Sequence, residues 1–254
     1  MGIALYGLIA FAVIFSGAIV GLLLNRLLPE HYRQDATRRI VQTSMGMVSL
    51  LSALVLGLLV ATAKNKFDTT NKQVEEFAAN LMWLDRELTN YGEDGKAIRP
   101  ILKQFALTKF RANWPQNAEA RPGADALPPS RLFENLQQKI RALTPQTDAQ
   151  RSTLASALEI TNDLNKTSWL QRAQESGHVP RPFIFVLVAW LCLLFVSFGL
   201  FAPTNALALI ALFICAASLS GAITLVADMD RPFEGFIAIS PQPMEQALAM
   251  INAP

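Results

Sequence analysis

The chain has 254 residues, 52% of them apolar and 17% charged, with a net charge of +2. Soluble domains average nearer ~45–50% apolar and ~25% charged, so this balance points to a membrane protein and away from nucleic acid or a strongly acidic partner. Cys192 and Cys215 both fall inside apolar runs, which excludes a disulfide framework or a C-x-x-C metal site and makes them small packing residues.

The first apolar run, Ile3 to Leu24, is long enough to span, since roughly 20 apolar residues cover a ~30 Å core. No basic residue precedes Ile3 and no small-x-small cleavage site comes before Asn25-Arg26, so the run reads as an uncleaved span rather than a signal peptide. Gly17 and Gly21, four apart within it, permit close approach of another backbone. Asn25 to Thr43 is a polar connector with Arg26, Arg33, Arg38 and Arg39 against Glu30 and Asp35. The second run, Ser44 to Ala63, carries Ser49, Ala53, Gly57 and Ala61 at four-residue spacing, a helix-packing or pore face lined with small residues.

Neither proline nor glycine interrupts Leu58 to Tyr91, which predicts one helix leaving the membrane as a stalk. Ser44 to Tyr91 would extend roughly 70 Å as a helix. Phe67, Val74, Phe77, Leu81, Leu84, Leu88 and Tyr91 repeat at spacings of three and four, with Thr70 as the polar exception. That period suits an intrachain core seam, or alternatively a seam between subunits. Gly92 and Gly95 end the stalk, and a second amphipathic helix follows over about Lys96 to Ala112, with Pro100 near its start. Asn113 to Pro129 is Pro-rich and predicts a loop. Ser130 is placed to cap a third helix with Leu132, Phe133, Leu136, Ile140 and Leu143 apolar. Thr147-x-x-Gln150 has capping-box spacing and opens a fourth helix to about Ser176, ended by Gly177, Pro180 and Pro182. The polar block 64–182 therefore reads as a soluble four-helix bundle. Trp83, Trp114 and Trp169 lie in it and are expected in its core, whereas Trp190 suits a lipid-facing or interhelical position.

Residues 183–227 contain no charge and divide at Pro203-Thr204-Asn205 into two spans. The expected fold is an all-α membrane protein: helices 1 and 2 in 1–63 (about 3–24 and 44–63), the bundle as an insert, then helices 3 and 4, and an acidic, Pro-rich hinge with an amphipathic tail over 228–254. Four crossings place both termini and the bundle on one side. The arginine connector argues for a cytoplasmic loop and an external or periplasmic bundle, while Lys64, Lys66, Lys72, Arg172, Arg181 and Arg231 argue the reverse. The first helix usually dominates, which favours the external bundle. The expected location is the cell membrane, in a bacterium the inner one.

His31 and His178 lie in no metal-ligand spacing, and no phosphate-cradling loop or nucleophile elbow occurs, so no enzyme, catalytic residue or cofactor is expected. The stretch that invites chemistry is the end of the last span, where Asp228, Asp230, Arg231 and Glu234 meet hydrocarbon. Charges there are costly unless paired, hydrated or bound to something. Asp228, Asp230 and Glu234 could offer oxygens to Ca²⁺ or Mg²⁺. The structural alternative is that Arg231 neutralises the carboxylates and anchors the exit of the span.

The segment Asp228-Met-Asp-Arg-Pro-Phe-Glu-Gly-Phe-Ile-Ala-Ile-Ser-Pro-Gln-Pro-Met244, with the amphipathic Glu245 to Ile251 after it, resembles the bestrophin-like family of membrane domains. The second span continuing through Lys64-Asn-Lys-Phe67-Asp68 into a helix is similar as well. The resemblance implies four spans around a helical insert and no established activity. Bestrophins proper are pentameric anion channels with a Pro-Phe followed by Ca²⁺-binding acids, and a pore neck of phenylalanines beside a Leu-Gly. Pro232-Phe233-Glu234 and Leu56-Gly57 look like parts of these features, but most acids here precede the Pro-Phe and Leu58 stands in an aromatic's place. These observations together suggest a homo-oligomer in the lipid bilayer with channel-like ion conduction. The alternative is a non-conducting scaffold or sensor whose bundle binds a protein partner or ligand.

Overall fold

The computed structural model describes residues 3–27, 35–115, 127–175, 181–203 and 205–252. His31, His178, Thr204 and most of the Pro-rich stretch before Pro129 lie outside them. Among the described residues the chain is helical throughout, with α1 Ile3–Leu27, α2 Asp35–Tyr91, α3 Glu93–Lys96, α4 Arg99–Asn113, α5 Pro129–Arg141, α6 Asp148–Glu175, α7 Arg181–Phe201, α8 Ala206–Met229 and α9 Gln242–Asn252. α2 starts well before the apolar run, so Arg38 and Arg39 are helical rather than part of a loop. The reason is local, because Asp35 to Thr43 contains neither proline nor glycine to stop the helix. The chain divides into two compact units: Met1–Phe67 with Gly177–Arg231 and Gly235–Ile237, and Asp68–Ser176 with Pro232–Glu234 and Ala238–Pro254.

In the first unit α1 is held closely by α7 and α8. Glycine makes this possible. A Cβ on Gly17 would stand 2.6 Å from the Cys192 carbonyl oxygen, and one on Gly21 would collide with the carbonyl of Val196. Gly199 answers from α7, pressed against the Ala18 carbonyl. On the other flank of α1 the buried Ser220 hydroxyl donates to the Gly7 carbonyl at 2.7 Å. Ala10, Ile14, Ala18, Leu187, Leu191, Phe195, Ala216 and Ile223 fill the core between these helices, and Leu59 and Ala63 of α2 are buried in it as well. The turn from α7 to α8 ends on Asn205, whose Oδ1 accepts from the Ala208 N–H at 2.8 Å and caps α8. Among the described residues four helices are long and apolar enough to cross a membrane by length and composition: Leu5–Leu27, Thr37–Tyr91, Pro182–Phe201 and Ala206–Met229.

The second unit is built on the later part of α2. Val74, Phe77, Leu81, Leu84, Leu88 and Tyr91 are all at most 3% exposed, so the seam is covered within one chain. The rings of Phe77, Phe105 and Phe133 meet at tilted angles in sequence across α2, α4 and α5, with centroids 6.0 and 5.2 Å apart. Gly92, at φ 111°, takes a left-handed conformation that other residues rarely adopt, and it ends α2. Ser130 is not the cap of α5. Pro128 holds that position without a side-chain hydrogen bond, because Pro129 has the φ that suits a first helical residue and moves the start back. At α6 the Gln150 N–H donates to Thr147 Oγ1 at 3.1 Å, while Gln150 Oε1 accepts from the Gln146 N–H at 2.8 Å and its amide donates to the Tyr91 carbonyl at 3.1 Å. Met244, Ala247, Leu248 and Ile251 of α9 are buried, and α9 packs on α4.

Trp114 is 4% exposed, but Trp83 and Trp169 are 65% and 62% exposed and lie outside the core. Each sits off its helix's buried register: Leu81 and Leu84 turn inward beside Trp83, as Leu164 and Gln171 do on either side of Trp169.

Candidate functional site

The acidic hinge begins inside α8. Asp228 is 2% exposed, and both its oxygens face the chain that follows: Oδ1 accepts from the Phe236 N–H at 3.2 Å and Oδ2 from the Ile237 N–H at 2.8 Å. A buried carboxylate is tolerated when hydrogen bonds to it replace water. Gly235, at φ 107°, allows the sharp return that brings those two N–H groups round. Asp230 takes the Lys66 ammonium of α2 at 2.8 Å, with the two side chains 14% and 19% exposed. Arg231 lies with its guanidinium 5.9 Å from the ring centroid of Tyr6 on α1. Lys66 thus pairs with Asp230, and Arg231 makes a cation–π contact worth about 0.5–1 kcal/mol. Lys66 was legible only as one of several basic residues flanking the spans; nothing in its spacing pointed to Asp230, 164 residues away.

The same segment closes on itself in the second unit. The Ile239 N–H donates to the Pro232 carbonyl at 2.8 Å. The buried Trp114 indole N–H donates to the Ile239 carbonyl at 2.9 Å, and its ring meets Phe233 edge-on at 5.2 Å. Glu234 is exposed. Near the end of α9, Arg99 grips both oxygens of Asp85 at 2.8 and 3.1 Å and donates to the Ile251 carbonyl at 3.4 Å. The hydrogen bonds to Asp85 hold the Arg99 guanidinium above its ordinary value against the opposing effect of burial.

Ca²⁺ takes about six to eight oxygens. Among the described residues no group of three His, Cys, Asp or Glu side chains converges to hold a metal ion. With both Asp228 oxygens on backbone N–H groups and Asp230 on Lys66, the donors present do not fit that demand, and the geometry favours an anchor.

Ser49, Ala53, Gly57 and Ala61 are all exposed on α2. A Cβ on Gly57, or on Gly46 a few turns earlier, would meet nothing within 4 Å. The packed side of α2 carries Met45, Val48, Val55, Leu56, Leu59, Val60 and Ala63 instead. On a third side Met47, Leu50, Leu54 and Leu58 are 68%, 73%, 69% and 64% exposed.

A family model for the Bestrophin-like domain matches residues 11–244. No curated protein matches the chain. Among solved structures, the fold is similar to a point-mutant form of a bacterial bestrophin homologue from Klebsiella pneumoniae, with a TM-score of 0.73 and 13% identity over 96% of each chain. A second structure of the Klebsiella pneumoniae homologue matches with a TM-score of 0.72 and 13% identity, again over 96% of each chain. A crystal structure described as a membrane protein gives 0.66 and 14% identity over 95% of this chain and 97% of that one. At such identities the likeness is one of fold. Together with its apolar helices, the match over nearly its whole length makes this chain an integral membrane protein that belongs to the Bestrophin-like family.

Proposed function

We propose that the protein is a homo-oligomer with channel-like ion conduction, crossing the bilayer four times and carrying the 64–182 helices as an insert on one side. The single observation that carries this is the open side of α2. Exposed positions recur at spacings of three and four along the membrane part of the helix, from Met47 through Leu50, Leu54 and Leu58 to Ala61. A helix that leaves one side of its membrane part open is suited to the axis of an assembly. The small stripe Ser49, Ala53, Gly57 and Ala61 lets the neighbouring subunit's α2 approach closely. The leucines beside it, Leu50, Leu54 and Leu58, then face the axis and form an apolar constriction of the kind that gates by dewetting. Asp228 and Asp230 serve to pin the exit of α8 rather than to attract the ion.

Purified protein in liposomes tests this reading. Ion flux that rises several-fold in Leu54→Ala supports it; no flux of any ion under varied pH, voltage and Ca²⁺ removes it. Sidedness is open to a separate test with a cysteine at Asp148: labelling by an impermeant thiol reagent in intact cells supports the external bundle favoured by the arginine connector, and protection supports the reverse.

A groove of about 740 Å³ in the second unit supports the alternative of a binding scaffold. It is lined by Trp83, Arg86, Lys96, Arg99 and Met250, among others, and the exposed Trp83 offers a ring for a ligand or partner. A stoichiometric second protein co-purifying with the chain, lost in Trp83→Ala, would favour that reading.

A further inference from the structure

At the end of the first unit that carries the arginines, a crevice of about 340 Å³ opens between α1 and α8. Its walls are Ile19, Leu22, Leu23 and Leu209, and among the described residues Arg26 is its one charged lining group. Ile19, Leu23 and Leu209 are 43%, 53% and 43% exposed, so the chain itself leaves much of this apolar surface uncovered. Arg26 makes no ion pair or hydrogen bond among the described residues. The neighbouring Asn25 amide donates to the Ala202 carbonyl at 3.2 Å, which ties the end of α1 to the turn before α8 and fixes the crevice's two sides. Ala206, the first residue of α8, also borders it, so the positive end of that helix faces the same space.

We infer that this crevice holds an anionic phospholipid, its phosphate on Arg26 and one acyl chain along Ile19, Leu22, Leu23 and Leu209. Charge complementarity selects the headgroup. A guanidinium with no ion pair among the described residues, one turn beyond a run of aliphatic side chains, sits where phosphates lie above hydrocarbon, and basic groups at that height select anionic lipids. The apolar walls select a lipid over a free anion, because a soluble phosphate would leave them in contact with water. The same end of the unit bears Arg38 and Arg39 at the start of α2, both exposed, and these add to the positive field. The inference does not depend on ion conduction and holds for the scaffold reading as well.

Native mass spectrometry of the full chain in mild detergent tests it, with phosphatidylglycerol and phosphatidylcholine of identical acyl chains supplied in equal amounts. The expected result is preferential retention of phosphatidylglycerol, falling about fivefold in Arg26→Gln, kept in Arg26→Lys and unchanged in Arg111→Gln, as befits the loss of one interfacial charge. Leu23→Trp, which fills the crevice and spares Arg26, is expected to lower retention as well. Equal retention of the two lipids by the wild-type chain, an Arg26→Gln variant that keeps the preference, or glycerol phosphate competing as well as the lipid would each overturn the proposal. Circular dichroism of each variant confirms that the helices remain.

Discussion

α1 and α2 are both apolar helices with glycines spaced for close packing, yet those glycines face different surroundings. Gly17 and Gly21 on α1 are pressed onto the α7 backbone, so that even a methyl group would collide. Gly46 and Gly57 on α2 have open space around them. Burial follows the same division: a third of the apolar window of α1 is buried inside the chain, against 11% for α2. A glycine costs about 1 kcal/mol relative to alanine inside a helix, so its use needs a return in packing. For α1 that return lies within the chain. For α2 the described residues show no such return, and the proposed oligomer would supply it by contact between subunits.

Substitutions break or sharpen this contrast, and their effects on folding should descend in order. Gly21→Leu drives a side chain into the Val196 carbonyl and the Gly199 backbone, and is expected to cost about 3 kcal/mol or more, seen as loss of the folded species in detergent melts. Asp228→Ala strands the Phe236 and Ile237 N–H groups and should cost about 2–3 kcal/mol, with faster proteolysis of the chain after Met229 as the readout. Trp114→Phe keeps a ring between Phe110 and Phe233 but leaves the Ile239 carbonyl without its donor, for about 1 kcal/mol in a thermal melt. Gly57→Leu should leave the single chain folded and stabilise its helix by up to about 1 kcal/mol, because a glycine's helix cost is removed and nothing surrounds it there. Its effect should fall on assembly, as a shift to smaller species on a sizing column. If Gly57→Leu unfolds the chain as Gly21→Leu does, the contrast fails.

The parts of the fold legible in the sequence were those written in local periodicity. Phe77, Leu81, Leu84 and Leu88 announce their buried seam by spacing alone, and Pro203-Thr204-Asn205 announces the break between the last two apolar runs. Ser130 misled because a proline one residue earlier outweighs a serine as a helix start. Trp83 and Trp169 misled because residue type was weighed above helical register, and their positions point outward. At the hinge, the importance of Asp228 and Asp230 could be read from charges abutting an apolar run. Their partners could not: the N–H groups of Phe236 and Ile237 depend on the turn at Gly235, and Lys66 is brought to Asp230 only by tertiary packing.

The most direct test of the assignment of α2 is crosslinking of Ala53→Cys in membranes, in a chain whose Cys192 and Cys215 are replaced by alanine. A short bifunctional thiol reagent is predicted to give covalent dimers of this variant in the native membrane and none after prior denaturation in SDS. Monomer alone under both conditions would contradict the account.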